Sequence, residues 1–390
     1  MKNFRNPKFL VFGAFLLAGV VFVGQAIFSK NLVALSDVSG GGKTKGAYLL
    51  DINTGKVGAW IETGSFPTPR ERFSMVFVNG YAYVLGGTIG WAFDGAVTST
   101  VYYAQVDSES NFGNWIETES LPGEANYDAA AFTANGFIYV LGGETWVNHA
   151  TSSVWYSRIN PDRSLGPWMS STPLPVPTED HEVIYLNGYV YVIGGKNIQG
   201  DLRNQINVQT NKVLYARVNG DGTLGGWRET SSLPVPLSNH SSVYSNGYIY
   251  AMGGGNDAGF PVGTNFYAKV NSDGSLGQWI SAAFLPIKSG LANFYAASLG
   301  NFIYIFGGAS LGINALQDVW FTRVGSGGSL GLWNKTTALP TKVSNNAGFV
   351  ANRKVSVLGG QLDFTGPKDV TSTIWSAPLD VNEIIEISPN

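Results

Sequence analysis

Glu179, Asp180 and His181 stand side by side in a chain with only three histidines and 13% charged residues. Adjacent carboxylates push one another's proton affinity apart, so such a group can divide acid and base roles. Arg72 supplies a planar fork suited to a carboxylate. These residues belong to a regular series. Fourteen positions before the first glycine of each recurrent Gly-Gly stand Arg72, Asp128, Asp180, Asn239, Asn293 and Asn345. All six are polar in a chain that is 44% hydrophobic. The preceding positions add Glu71, Tyr127 and Glu179, and the following ones His181, His240 and Asn346. Brought together, such residues form a polar rim of the kind that binds sugars and other small polar molecules. Trp91, Phe93 and Trp146 lie in polar segments after the diglycines and are suited to stacking on sugar rings. The bland reading stays open beside this one. Asn and Asp also form turns and cap backbone, and loop aromatics also pack loops down.

Composition removes several chemistries. There is no cysteine, so disulfides, thiolate metal sites and thiol nucleophiles are absent. His149, His181 and His240 are scattered without ligand spacing, so neither a metal nor another cofactor is expected. A net charge of −3 lacks the basic footprint of a nucleic-acid binder.

The elements that must position these residues repeat six times. The diglycine recurs as YAYVLGG, FIYVLGG, YVYVIGG, YIYAMGG, FIYIFGG and KVSVLGG, ending at Gly87, Gly143, Gly195, Gly254, Gly308 and Gly360. Asn-Gly pairs at 79–80, 135–136, 187–188 and 246–247 supply the positive φ angles of tight hairpins. Aromatic-rich strands follow, such as VYYAQV and VWYSRI. Then comes a tryptophan, at 60, 115, 168, 227, 279 and 333, and a proline corner after each. Fifty glycines and 13% aromatics suit short strands with ring-filled space between sheets. A repeat of 52–59 residues, read from the tryptophan spacing, implies four strands per unit.

This pattern resembles the kelch-repeat family over nearly all of residues 47–380. The resemblance implies an all-β, six-bladed kelch-type β-propeller whose first strands line a central channel. It also brings enzymes to mind. A copper oxidase of the galactose oxidase type needs a Tyr–Cys cross-link, which this chain cannot make. A sialidase needs an arginine triad, and only Arg70 and Arg72 lie near the rim. Extracytoplasmic kelch propellers that epimerise sialic acid keep one catalytic option open, with Glu179, Asp180 and His181 as acid and base and Arg72 on a substrate carboxylate.

Two third-strand patterns, YLLDI (48–52) and TIWSAPL (373–379), compete to close the ring, while the N-terminal GAWIET completes the last blade as its fourth strand. Ahead of them, Lys2, Arg5 and Lys8 precede an apolar run from Phe9 to Phe28, long enough to span a bilayer. Residues 1–30 are therefore expected to be a signal anchor or signal peptide forming an N-terminal helix, 31–46 a flexible linker, 47–381 the propeller and 382–390 a tail. The expected product is a monomeric, extracytoplasmic binding module, anchored to the membrane or secreted. It would recognise a glycan or protein through the loops around the channel. A sugar-processing enzyme of epimerase or mutarotase type and a structural envelope protein without a pocket are the alternatives.

Overall fold

The computed structural model describes residues 48–50, 54–90, 96–123, 126–145, 149–199, 206–311, 313–362, 369–380 and 385–387. The expected N-terminal helix and linker, and Trp91, Phe93 and Trp146, lie outside the described residues. Among the described residues no helix is long and apolar enough to cross a membrane.

Gly55–Leu379 forms one compact unit of six four-stranded antiparallel sheets. Their first strands are Ser74–Val78, Ala130–Ala134, Glu182–Leu186, Ser241–Ser245, Tyr295–Leu299 and Ala347–Ala351 of blades 1 to 6. Each neighbours the first strand of the next blade, and that of blade 6 neighbours blade 1, so the six surround an axis. Separately, Tyr48–Leu50 pairs with Ile385–Ile387.

Local chemistry sets each blade. Asn79 and Gly80 take φ of 52° and 79° between paired Val78 and Tyr81, a two-residue turn repeated at each Asn-Gly. The second strand is the sheet's centre, and Phe137–Leu141 is buried at every position. Its alternate side chains feed the seams on either side. Phe132 stacks on Tyr139 at 4.4 Å and lies 5.7 Å from Tyr185 of the next blade. The buried Tyr191 hydroxyl donates to the Gly274 carbonyl of the next blade at 2.7 Å. Four of the six anchoring tryptophans reach back instead, as Trp168 Nε1 does in donating to the Glu119 carbonyl of blade 1 at 3.1 Å.

Closure follows the same rules. Val370–Pro378 takes the third position of blade 6, and Ile61–Ser65 pairs with it as the fourth strand. Trp60 Nε1 donates to the Thr337 carbonyl of blade 5, as an ordinary blade tryptophan would.

Candidate functional site

The diglycines build the channel mouth. In blade 2 the Gly143 N–H donates to the Thr178 carbonyl, in the corner leading to blade 3, at 2.9 Å. A Cβ on Gly142 would lie 2.2 Å from that same oxygen, so a residue with a side chain cannot stand there. The contact recurs at every seam, including Gly360 N–H to the Arg70 carbonyl, which shuts the ring. Arg70 itself is buried and donates to the Gly86 and Thr100 carbonyls, which leaves it a structural cation.

The next residue of each corner bridges the residue that follows the diglycine. The pairs are Glu71 with Thr88, Tyr127 with Glu144, Glu179 with Lys196, Ser238 with Gly255, Ala292 with Ala309, and Ser344 with Gln361. One step further come the six residues at the regular spacing, all left-handed at φ of 51–56°. There the N–H of Asp128 donates to the Arg72 carbonyl, Asp180 to Asp128, Asn239 to Asp180, Asn293 to Asn239 and Asn345 to Asn293, at 2.9–3.3 Å. These main-chain links string five blade junctions around the axis. At the sixth, Asn345 Nδ2 donates to Glu71 Oε2 at 3.0 Å and to Gln361 Oε1 at 3.4 Å. Asn and Asp tolerate the left-handed region, whereas arginine does so least readily of the three types, so Arg72 carries strain that its partners must offset.

Charge gathers on blades 1 to 3. Arg72 Nη1 lies 2.8 Å from Asp128 Oδ2, and its guanidinium sits over the Tyr127 ring at 5.9 Å. Lys196 Nζ lies 2.7 Å from Asp180 Oδ2 and 3.5 Å from Glu179 Oε1. Asn239 Nδ2 also donates to Asp180 Oδ2, at 2.9 Å. The cations face the solvent, with Arg72 and Lys196 side chains 32% and 22% exposed, while Asp128, Asp180 and Glu179 behind them are 10%, 5% and 0% exposed.

Burial dominates the proton affinities. It pushes the Glu179 carboxyl up to about 10, helped by the Asp180 charge and a hydrogen bond with Glu144. Neither Glu179 oxygen receives a hydrogen bond from a neighbouring donor, as suits a carboxyl that keeps its own proton. Burial likewise raises Asp128 to about 7, outweighing the Arg72 guanidinium, and raises Glu71. Asp128 holds Arg72 above its usual range. For Lys196, burial favours the neutral amine, but the neighbouring Asp180 overcomes it and keeps the ammonium charged. The mouth therefore offers a neutral acid, two fixed cations, further carboxyl groups and amides close to one another.

Arg72, Asp128, Glu179, Asp180, Asn239, Asn293 and Asn345 thus meet at one end of the channel. His181 and His240 do not face it. Their side chains are buried in the seams beside the diglycines, where Cβ atoms on Gly142 and Gly194 would lie 2.8 and 3.1 Å from the two Cε1 atoms. Blades 1 and 5 carry Phe73 and Phe294 at that position. Burial drops the imidazoles to about 4 for His181 and about 3 for His240, so both are neutral there. Glu144, Lys196 and Gln361 are rim residues that the fourteen-residue spacing passes over. Their signal is position, the first residue after each diglycine. Among the described residues no group of three metal-ligating side chains is arranged around a common point.

No family model matches the chain. It is similar to Kelch repeat and BTB domain-containing protein 12 of Danio rerio, 27% identical over 147 residues, covering 36% of this chain and 22% of that one. It is also similar to Kelch-like protein terF of Aspergillus terreus, 26% identical and covering 62% and 50%, and to Kelch repeat protein M-T8 of Myxoma virus, 24% identical and covering 69% and 46%. The chain spans at most half the length of these relatives. Among solved structures, that of YjhT matches with a TM-score of 0.61 at 16% identity, covering 79% of this chain and 95% of the other, a likeness of fold.

Proposed function

The chain is a kelch-repeat β-propeller of six blades, and from that premise we propose that it is a binding module whose loop face takes a glycan or a protein at the channel mouth. One observation carries this reading. Arg72, Asp128, Glu144, Glu179, Asp180 and Lys196 come from three separate blades, and burying so many charges at one point is costly unless they serve a ligand. A network that only stabilised the propeller would be replaceable by the small or amide residues that blades 4 and 5 carry at the same positions, Ser238, Asn239 and Gly255, and Ala292, Asn293 and Ala309. Carboxylates, amides and an arginine fork are also the groups that hold sugar hydroxyls. The extracytoplasmic, membrane-anchored setting rests on the basic and apolar residues between Lys2 and Phe28 alone. Action as a monomer is proposed from the self-closed ring.

A sugar-processing role has one observation in its favour, the proton retained by Glu179 beside Asp180 and Lys196. A single experiment tests both. Thermal unfolding of the whole chain is followed with a panel of neutral, acidic and amino sugars, and any sugar that raises Tm is then assayed for anomeric or epimeric conversion. Binding through the mouth predicts a stabilisation that grows with concentration and disappears in Arg72→Ala and Asp180→Ala. Shifts that survive both variants would remove the mouth as the glycan site. Conversion lost in Glu179→Gln while binding persists would make the protein an enzyme.

A further inference from the structure

We propose that the channel just inside the mouth holds a hydroxyl-binding subsite, formed by Glu182, Ser242 and Tyr295, which takes the hydroxymethyl arm of a sugar whose ring rests at the mouth. The proposal rests on the reading of the mouth as a glycan site and names the feature of the sugar that the channel selects. One level below the left-handed residues, the first strands of blades 1 to 6 begin with Ser74, Ala130, Glu182, Ser241, Tyr295 and Ala347. Four of these are small, and Ser74 is committed, its hydroxyl donating to the Ala129 carbonyl at 2.6 Å. Glu182 and Tyr295 are large, polar and partly buried, whereas the other four blades close without such a residue. Among the described residues neither the Glu182 carboxyl nor the Tyr295 hydroxyl meets a hydrogen-bond or ion-pair partner.

Tyr295 occupies a seat shaped for it. Its ring stacks on Phe306 at 5.6 Å, and a Cβ on Gly348 of blade 6 would lie 2.5 Å from its Cε1. The other blades carry Met75, Ala131, Val183, Ser242 and Ala296 at the position of Gly348, so glycine there is what admits the ring. Glu182 stands opposite Ile193, which packs in one cluster with Leu237 and Ala251, so its side chain lies on the face toward blade 4. The first strand of blade 4 supplies Ser242, whose hydroxyl is buried without a partner. The Glu182 charge acts on Tyr295 across that strand, which sets the two groups near each other. Burial alone pushes the Glu182 carboxyl up to about 8, so at neutral pH it keeps its proton and offers both an O–H and an accepting oxygen. Burial, and behind it Glu182, also raises the Tyr295 phenol, which stays protonated. Three neutral groups that each donate and accept match a ligand hydroxyl, which does the same. An ammonium would need Glu182 ionised against its burial. A ligand carboxylate would find no cation among the six residues of this level, since Arg72 and Lys196 stand at the rim above. Unpaired buried polar groups are costly, and a hydroxyl that pairs with them removes that penalty.

Thermal unfolding of the full chain against rising D-galactose or D-fucose, and D-glucose or D-quinovose, tests this, because each pair differs only in the terminal hydroxyl. At least one hexose should stabilise the chain through the mouth, with the shift lost in Asp180→Ala, and should bind at least ~10-fold more tightly than its deoxy partner. Glu182→Ala combined with Tyr295→Phe should narrow that preference to about twofold. Blades 2 and 6 already carry alanine where Glu182 stands, and phenylalanine keeps the ring against Gly348. Without sugar this variant should therefore melt no lower than the native chain; a clearly lower Tm would make both side chains structural and overturn the subsite. A hexose that binds through the mouth no better than its deoxy partner would overturn the subsite and leave the mouth as the glycan site. So would a preference that survives in the double variant. If none of the four sugars shifts the Tm, the subsite is overturned, and the wider panel of acidic and amino sugars decides the mouth.

Discussion

His181 shows how one torsion decides what a residue can do. It follows Asp180, whose left-handed backbone breaks the strand's alternation, so the imidazole swings into the seam rather than over the mouth. Burial there lowers it from 6.5 to about 4, and His240 one blade on to about 3. The sign of the consequence is fixed. Both groups bind fewer protons folded than unfolded below pH 6.5. The stability they contribute is therefore intact above that pH and is lost as pH falls through the folded values. At ~1.4 kcal/mol per pH unit, the drop for His181 alone is worth ~3 kcal/mol. His181→Phe combined with His240→Phe places in both seams the residue that blades 1 and 5 already use. The Tm of this variant should fall clearly less than that of the native chain between pH 7 and pH 4, measured by circular dichroism. An unchanged acid slope would mean that other groups set it. The mouth behaves oppositely, because Glu179 has its carboxyl raised: its contribution is complete below about pH 4.5 and declines as pH rises toward 10.

At the scale of the element, the corner docked on a diglycine is the joint that makes the rim. Gly136 and Gly142 of blade 2 separate its two requirements. Both hold positive φ, 81° and 57°, but a Cβ on Gly136 meets nothing within 4 Å, whereas one on Gly142 meets the Thr178 carbonyl at 2.2 Å. Gly136→Ala should therefore cost about 1 kcal/mol, the backbone penalty alone. Gly142→Ala must also displace the corner that presents Glu179 and Asp180, and should cost several kcal/mol in urea unfolding. Equal costs would show that the corner yields freely. The joint also explains what could be read in advance. Diglycines, Asn-Gly turns and tryptophans are local marks, so six blades and the series from Arg72 to Asn345 followed from spacing. The competition between YLLDI and TIWSAPL did not resolve that way, because both have third-strand composition and only the Ile374–Gly64 and Trp375–Glu62 pairing distinguishes them. Lys196 and Glu144 reach the rim through a short bridge with residues 17 positions earlier, a pairing with no hydrophobic period to announce it. The histidines were legible as residues but not in direction, since a single left-handed residue reverses which side a chain faces.

Across the whole molecule, closure makes distant segments of the chain interdependent. Blade 6 takes three strands from residues 347–378 and its fourth from Ile61–Ser65, so neither end is complete alone. The seam is bonded throughout its thickness. Val57 bridges Leu379, and the Val57 N–H donates to Thr336 Oγ1 at 2.9 Å. Inside the sheet the buried hydroxyls of Thr63, Ser376 and Ser356 form a chain with 2.8 Å links. Without the fourth strand, the Ser376 hydroxyl loses its Thr63 partner and the Val370–Pro378 edge is left bare, an invitation to intermolecular pairing. Opening blade 6 also loosens the junction where Asn345 bonds Glu71, so the mouth should suffer although none of its own residues is removed. A chain beginning at Lys56 retains the closing strand, and one beginning at Pro67 lacks it. The longer chain is expected to unfold in one cooperative step and to elute as a monomer. The shorter should melt at least ~10 °C lower and form higher-order species on size-exclusion chromatography. Adding a peptide of residues 56–66 in trans should restore part of the lost Tm, because it supplies only the missing strand. If the two chains melt alike, the other five seams hold the ring on their own and the closing strand only covers an edge.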